Sequence, residues 1–206
     1  MGELPSDCRK LSFASKGFTN RNLEELPVRD VAYPYQEVDF SQSRLSVKGL
    51  RRVLDLCKRC DKLRSLKLYR NDIDDKGAGE LADFLKDCRS IEEVHLSHNR
   101  FTREGVWTIV SAVHKWRERG LNPLWLRLEQ NCVEDPEGAM RDLEAKFDVC
   151  LRRDRNRCTV RSCVHGCKIH LPHFHFQKGS DGTENTSGAQ RPRGGRKDRR
   201  GRRQGR

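Results

Sequence analysis

Residues 63–90 read LRSLKLYRNDIDDKGAGELADFLKDCRS, and residues 91–116 read IEEVHLSHNRFTREGVWTIVSAVHKW. Set at a spacing of 28, Leu66, Leu68, Asn71, Ile73, Gly77 and Leu81 fall on Val94, Leu96, Asn99, Phe101, Gly105 and Ile109. One period earlier stand Val38, Phe40, Ser43, Leu45, Gly49 and Val53. A fourth copy follows a four-residue insertion and puts Leu126, Leu128, Asn131 and Val133 in the same columns. There Asp135-Pro136 adds one residue, and the glycine moves to Gly138. Self-similarity at a fixed period of this length is the signature of a stacked repeat.

Each column has a physical meaning. The L-x-L pair alternates like a strand with one buried face. The Asn three residues later carries a short amide that can bond the backbone of the turning chain, whose polar groups would otherwise be buried unpaired. Ser46, Asp74, Thr102 and Asp135 stand where a helix N-cap belongs, and Pro136 takes the favoured first helical position. Beyond the glycine, Val53, Leu54, Leu56 and Cys57 share one helix face, as do Leu81, Ala82, Phe84 and Leu85, and Ile109, Val110, Ala112 and Val113. A strand–turn–helix unit of this size cannot cover its own apolar face, so the copies must stack. The expected fold is α/β: a short solenoid with parallel strands on the concave side and helices outside. Strands are expected near 37–40, 65–68, 93–96 and 125–128.

These columns resemble a repeat of the ribonuclease-inhibitor-like leucine-rich-repeat proteins, whose unit runs L-x-x-L-x-L-x-x-N-x-I/L-x-x-x-G and then a helix. The likeness covers residues 35–145. It departs at Ser43, which replaces the Asn, and at the shifted Gly138; both lie in the terminal copies, where capping repeats are atypical. The resemblance implies a protein-binding scaffold and no particular chemistry.

In such a sheet the residues that alternate with the buried Leu columns face the concave side. They include Ser65, Lys67 and Tyr69, then Glu93 and His95, then Trp125, Arg127 and Glu129, with Glu37 and Asp39 before them. Trp and Arg are frequent binding hot spots, so these residues are the expected protein-binding surface. The plainer reading is a solvated sheet face with Trp125 lying on the chain that follows it.

Residues 150–176 read CLRRDRNRCTVRSCVHGCKIHLPHFHF and hold four cysteines and four histidines. Clustered Cys and His can supply the four ligands of a zinc ion, and Cys158, Cys163, Cys167 and His170 are the expected set. The segment is loosely similar to CCCH zinc fingers, with the first two gaps each one residue shorter and Cys167 where that family has His. The plainer reading, which outweighs the metal, is a metal-free cap over the last repeat: one strand at Thr159–Arg161, a turn around Gly166, a second strand at Lys168–Leu171, and a half-buried extended chain through His173 and His175. Cys60 and Cys88 share a repeat column and read as packing residues at helix ends. The nine cysteines are an odd number and form no evident disulfide framework, which favours a reducing, intracellular compartment, cytoplasmic or nuclear.

The formal net charge is +12. Residues 191–206, RPRGGRKDRRGRRQGR, contribute +8 of it through Arg191, Arg193, Arg196, Lys197, Arg199, Arg200, Arg202, Arg203 and Arg206 against Asp198 alone. The chain before them is nearly balanced. Composition makes 179–206 a disordered Arg/Gly-rich tail. Its arginines suit nucleic-acid phosphates or a nuclear localisation signal, and a purely solubilising tail is the plainer reading. The division is therefore an N-terminal cap (1–34, irregular, with Tyr33 and Tyr35 packed in it), the repeats (35–149), a Cys/His-rich module (150–178) and the tail. No stretch is apolar enough for a membrane span, and no secretory leader is evident. There is no G-x-S-x-G, P-loop, H-E-x-x-H or G-x-G-x-x-G. The expected function is a non-enzymatic protein-interaction scaffold; an RNA-binding protein using a zinc module and the tail is the alternative, and a hydrolase a remote one.

Overall fold

The computed structural model describes residues 4, 5, 8–118, 122–151, 158–160 and 162–178. Strands β1 (Lys10–Ser12), β2 (Glu37–Asp39), β3 (Ser65–Lys67), β4 (Glu93–His95) and β5 (Leu124–Arg127) lie side by side and parallel. Each leads to a helix: α1 (Asn20–Glu24), α2 (Val47–Cys57), α3 (Asp75–Asp87), α4 (Arg103–Trp116) and α5 (Pro136–Lys146). After α5 come β6 (Val149–Cys150), a hairpin of β7 (Cys158–Thr159) and β8 (Ser162–Cys163), and β9 (Ile169–His170). The sheet has seven strands in the order β1-β2-β3-β4-β5-β9-β6. This is the leucine-rich-repeat solenoid, and its strands fall where the periodicity places them. Among the described residues, no helix is long and apolar enough to cross a membrane.

The 28-residue spacing is the sheet register itself: Val38 pairs with Leu66, Leu66 with Val94, and Val94 with Leu126. All four are fully buried between sheet and helices, as are Phe40, Leu68, Leu96 and Leu128. The caps act as their residue types require. Ser46 accepts from the Lys48 amide, Asp74 from Lys76 and Gly77, Thr102 from Glu104, and Asp135 from Gly138. These bonds satisfy amides that have no partner within the helix.

The asparagines tie each unit to the one before it. Asn99 is completely buried; its amide donates to the carbonyls of Leu68 (2.9 Å) and Leu96 (3.0 Å), and its oxygen accepts from the Ile73 amide (3.2 Å). Asn71 and Asn131 repeat the pattern. One column is invisible in composition. Gln42, Arg70, His98 and Gln130, each in the turn after its strand, have φ between 54° and 57°. The left-handed turn aims each amide at the next unit, Arg70 to Ser97 O (2.9 Å) and His98 to Glu129 O (3.0 Å).

Both ends depart from the expectation. The N-terminal region is an incomplete repeat rather than an irregular cap. Leu11 stands in register with Val38, and Phe13 and Phe18 pack on Phe40. Asn20 bonds Ser46 in both directions, as a side chain of the next turn would. Tyr33 and Tyr35 are buried and stack at 5.5 Å. At the C-terminus the two expected strands do not pair with each other. Residues Thr159 and Ser162 face across a tight hairpin, and β9 inserts between β5 and β6, because Ile169 and Leu171 are fully buried and must join the core. Residues 172–175 form a turn, with His173 at φ 60°, so His173 and His175 do not lie on an extended chain.

Candidate metal centre and concave face

Alternate strand residues point to opposite faces, so the open side of the sheet carries rows of side chains set by register. One row runs Lys10, Glu37, Ser65, Glu93, Trp125, His170, Cys150. The next runs Ser12, Asp39, Lys67, His95, Arg127. All eight residues expected on the binding surface therefore belong to described strands or the residues just after them. Lys67, Tyr69, Glu93, His95, Trp125 and Arg127 are half-buried, whereas Ser65 and Glu129 are buried.

Charges on this face are paired, across neighbouring strands or along one strand. Glu37 accepts from Lys10 (2.9 Å) and Lys67 (2.8 Å). Burial pushes its carboxyl up, but the hydrogen bonds and attraction of the two lysines together hold it below the usual value of 4.5. Glu93 bonds His95 at 2.5 Å and accepts from Ser65 at 3.3 Å, and the His95 bond holds its carboxyl below the usual range despite burial. Arg127 pairs with Glu129. Beside them His98 is shifted below its ordinary value, first by burial and then by the Arg70 charge.

Trp125 is the point where this face meets the C-terminal module. Its ring stacks on His170 at 4.5 Å, so the chain that follows does lie on it. His170 is 3 % exposed, and its Nδ1 is buried with no hydrogen-bond partner. A buried ring nitrogen left unpaired is costly unless something ligates it.

Four thiols converge beside that ring. Cys158 and Cys163 are directly opposite in the hairpin, with Sγ atoms 3.4 Å apart. Cys150 Sγ lies 3.9 Å from Cys158 Sγ, and Cys167 Sγ lies 3.4 Å from Cys163 Sγ. Among the described residues there is no disulfide. The donor atoms of Cys150, Cys158, Cys163 and His170 all fall within 4.8 Å of one another, so this group can hold a metal ion. Burial and the neighbouring thiols push Cys158 up to about 12. The Cys150 hydrogen bond and burial push Cys167 well above the usual thiol range. A bound divalent cation reverses that sign, because a coordinating thiol is deprotonated outright.

Of the expected metal ligands, Cys158, Cys163 and His170 come together, with Cys167 against Cys163; the expected set omitted Cys150. The signal that could have found it is the repeat phase, since 150 follows the last helix where the next strand must begin. Cys57, Cys60 and Cys88 are packing residues raised chiefly by burial, Cys60 to about 12. The tail residues Arg191, Arg193, Arg196, Lys197, Arg199, Arg200, Arg202, Arg203 and Arg206 lie outside the described residues.

No curated protein matches the chain in a sequence comparison. A family model does match, over residues 59–82 and 87–109. Those segments hold the two units built on Asn71 and Asn99, and the family they are similar to is the Leucine Rich repeat.

Proposed function

We propose that the chain is a non-enzymatic protein-interaction scaffold of the ribonuclease-inhibitor-like kind, which holds a protein partner against its concave face. The observation that carries this reading is the two adjacent half-buried rows, Glu93 and Trp125 in one and Lys67, His95 and Arg127 in the next, presented by paired parallel strands. Aromatic and Arg anchors on such a scaffold concentrate binding energy, while paired charges of both signs select for a partner of mixed charge. Two attachments complete the proposal. The Cys/His cluster takes zinc, because zinc accepts thiolate and imidazole ligands together. The arginines of 191–206 contact nucleic acid or localise the protein.

The test is a crosslinked pull-down with the full chain and with a Trp125→Ala/Arg127→Ala double variant, sorted into protein and RNA. The proposal expects one or more proteins to be recovered by the parent chain and lost with the variant, at an unchanged fluorescence-free measure of folding such as far-UV circular dichroism. Identical recovery by both chains contradicts it. Recovery of RNA alone, through the tail, would move the assignment to the RNA-binding reading.

A further inference from the structure

Among the described residues, the Cys/His module has no aliphatic core of its own. The main hydrophobic cluster takes in Leu151, Ile169, Leu171 and Phe174, but the cysteines around the hairpin form a second cluster made of Cys150, Cys158 and Cys167 with Cys163 packed on it. Its strands are two residues each. A two-stranded hairpin of that length is not stable by its own contacts. Four small thiols supply too little apolar area to hold it against the end of the sheet. Yet three of these sulfurs and the imidazole of His170 lie within 4.8 Å of one another, drawn from three separate stretches of chain.

We propose that Cys150, Cys158, Cys163 and His170 are the four ligands of one zinc ion, that Cys167 stands outside them as a thiol hydrogen-bonded to the ligands, and that the ion pins the hairpin as the C-terminal wall of the concave face. This deepens, and rests on, the zinc reading given above. Three observations select the set. Zinc–sulfur bonds of about 2.3 Å in a tetrahedron put sulfurs about 3.8 Å apart; Cys150–Cys158, Cys158–Cys163 and Cys163–Cys167 measure 3.9, 3.4 and 3.4 Å, and it is the donor atoms of Cys150, Cys158, Cys163 and His170 that all lie within 4.8 Å of one another. The buried, unpartnered Nδ1 shows that the His170 ring has ligating capacity its protein neighbours do not use. Three thiolates and a neutral imidazole leave one net negative charge on the centre; four thiolates would leave two, at a site whose cysteines 150, 158 and 167 are 3–5 % exposed. Cys167, 3.4 Å from Cys163, then acts on the ligand rather than on the metal, as outer hydrogen-bond donors do.

The position in the fold gives the ion its role. Cys150 and His170 are cross-strand neighbours in the row that begins at Lys10 and passes through Trp125. Ligation fixes the His170 ring, and the ring is the surface against which Trp125 stacks. Metal loading therefore sets the orientation of the one Trp on the concave face.

The experiment uses the full chain in reducing buffer. Zinc is counted by elemental analysis, and chelated protein is titrated with cobalt(II), whose visible spectrum reports the ligand set. The parent chain and Cys167→Ser are expected to carry about one zinc each, the stoichiometry of a single structural site. Cys158→Ser is expected to lose at least about tenfold in zinc affinity. His170→Cys should keep the metal and move the cobalt bands to longer wavelength, which guards against a variant that simply unfolds. Chelation should change the Trp emission of the parent chain by more than that of Trp125→Phe. The ligand assignment is overturned if Cys167→Ser loses the metal or if His170→Cys leaves the cobalt spectrum unchanged. The wall is overturned if chelation changes the emission of parent and Trp125→Phe alike. A parent chain that binds neither zinc nor cobalt removes the zinc reading itself.

Discussion

At the scale of single residues, the asparagines carry the most consequence per atom. Asn99 makes bonds to three carbonyls and one amide in a site with no exposure. Asn99→Ala leaves several backbone groups buried and unpaired, each costing about 1–3 kcal/mol. We expect a loss of roughly 3 kcal/mol or more by urea denaturation; a loss below about 1 kcal/mol would mean water replaces the amide. Its neighbour His98 and the equivalent Arg70 sit in the left-handed region at φ 56° and 54°. Arg70→Gly relieves about 1 kcal/mol of backbone strain and restores a similar unfolded-state entropy, so stability should change by less than about 1 kcal/mol. The Asn column was legible because a buried turn needs that side chain. The left-handed column was not, since Gln, Arg, His and Gln share no property that announces it. Gln177 was equally hidden. It accepts from the Asn131 amide and donates to Leu128 O, doing for the last unit what Asn does for the others, from 46 residues away in sequence.

At the scale of elements, what surrounds each helix glycine decides the effect of a side chain there. A Cβ on Gly105 would run into the Asp75 carboxylate, which binds the Thr102 amide and hydroxyl at the start of α4. A Cβ on Gly79, in α3, meets nothing within 4 Å. Gly105→Ala should therefore destabilise by about 1–3 kcal/mol, and Gly79→Ala should stabilise by about 0.5–1 kcal/mol. Thermal melts of the two variants should move in opposite directions. The sheet face gives the pH dependence. Glu37 and Glu93 have lowered carboxyls, so their contribution is present at neutral pH and is lost as pH falls below the ordinary value of 4.5 and through the folded-state values. His98 is also lowered, so its neutral form favours folding above 6.5 and stability begins to fall as pH drops through that value. Urea midpoints should decline from pH 7 to pH 3.5, and Glu93→Gln should flatten the acid limb; an unchanged limb would assign the acid sensitivity elsewhere. Strands β2–β5 and their helices were legible because four copies share one period. Strand β1 was not, since KLSF has lost the Asn and the Gly of the pattern. The place of β9 was not legible either: Ile169 and Leu171 read as a strand, but nothing local says that it enters the parallel sheet between β5 and β6 instead of pairing with the hairpin.

At the scale of the whole molecule, charge and fold separate. The repeats carry a nearly balanced surface whose ion pairs are satisfied within the sheet face, while +8 of the +12 lies in residues 191–206. Deleting those residues should leave the folded body's melting temperature unchanged, weaken RNA binding and reduce the slope of log affinity against log salt; an unaltered slope would show that the tail makes no phosphate contacts. The Cys/His centre was half legible in the sequence. The residue types offered metal ligands beside a plainer metal-free reading, but choosing among five donors needs the fold, because Cys150 is a strand residue and Cys167 is the nearer neighbour in sequence. The proposed function is the docking of a protein partner on the concave face. It is tested most directly by placing a photo-crosslinking residue at Lys67, on that face, and in a second chain at Asp83, on the exposed side of α3. Discrete protein adducts are expected from position 67 and none from position 83. Adducts of equal yield from both positions, or none from 67, would contradict it.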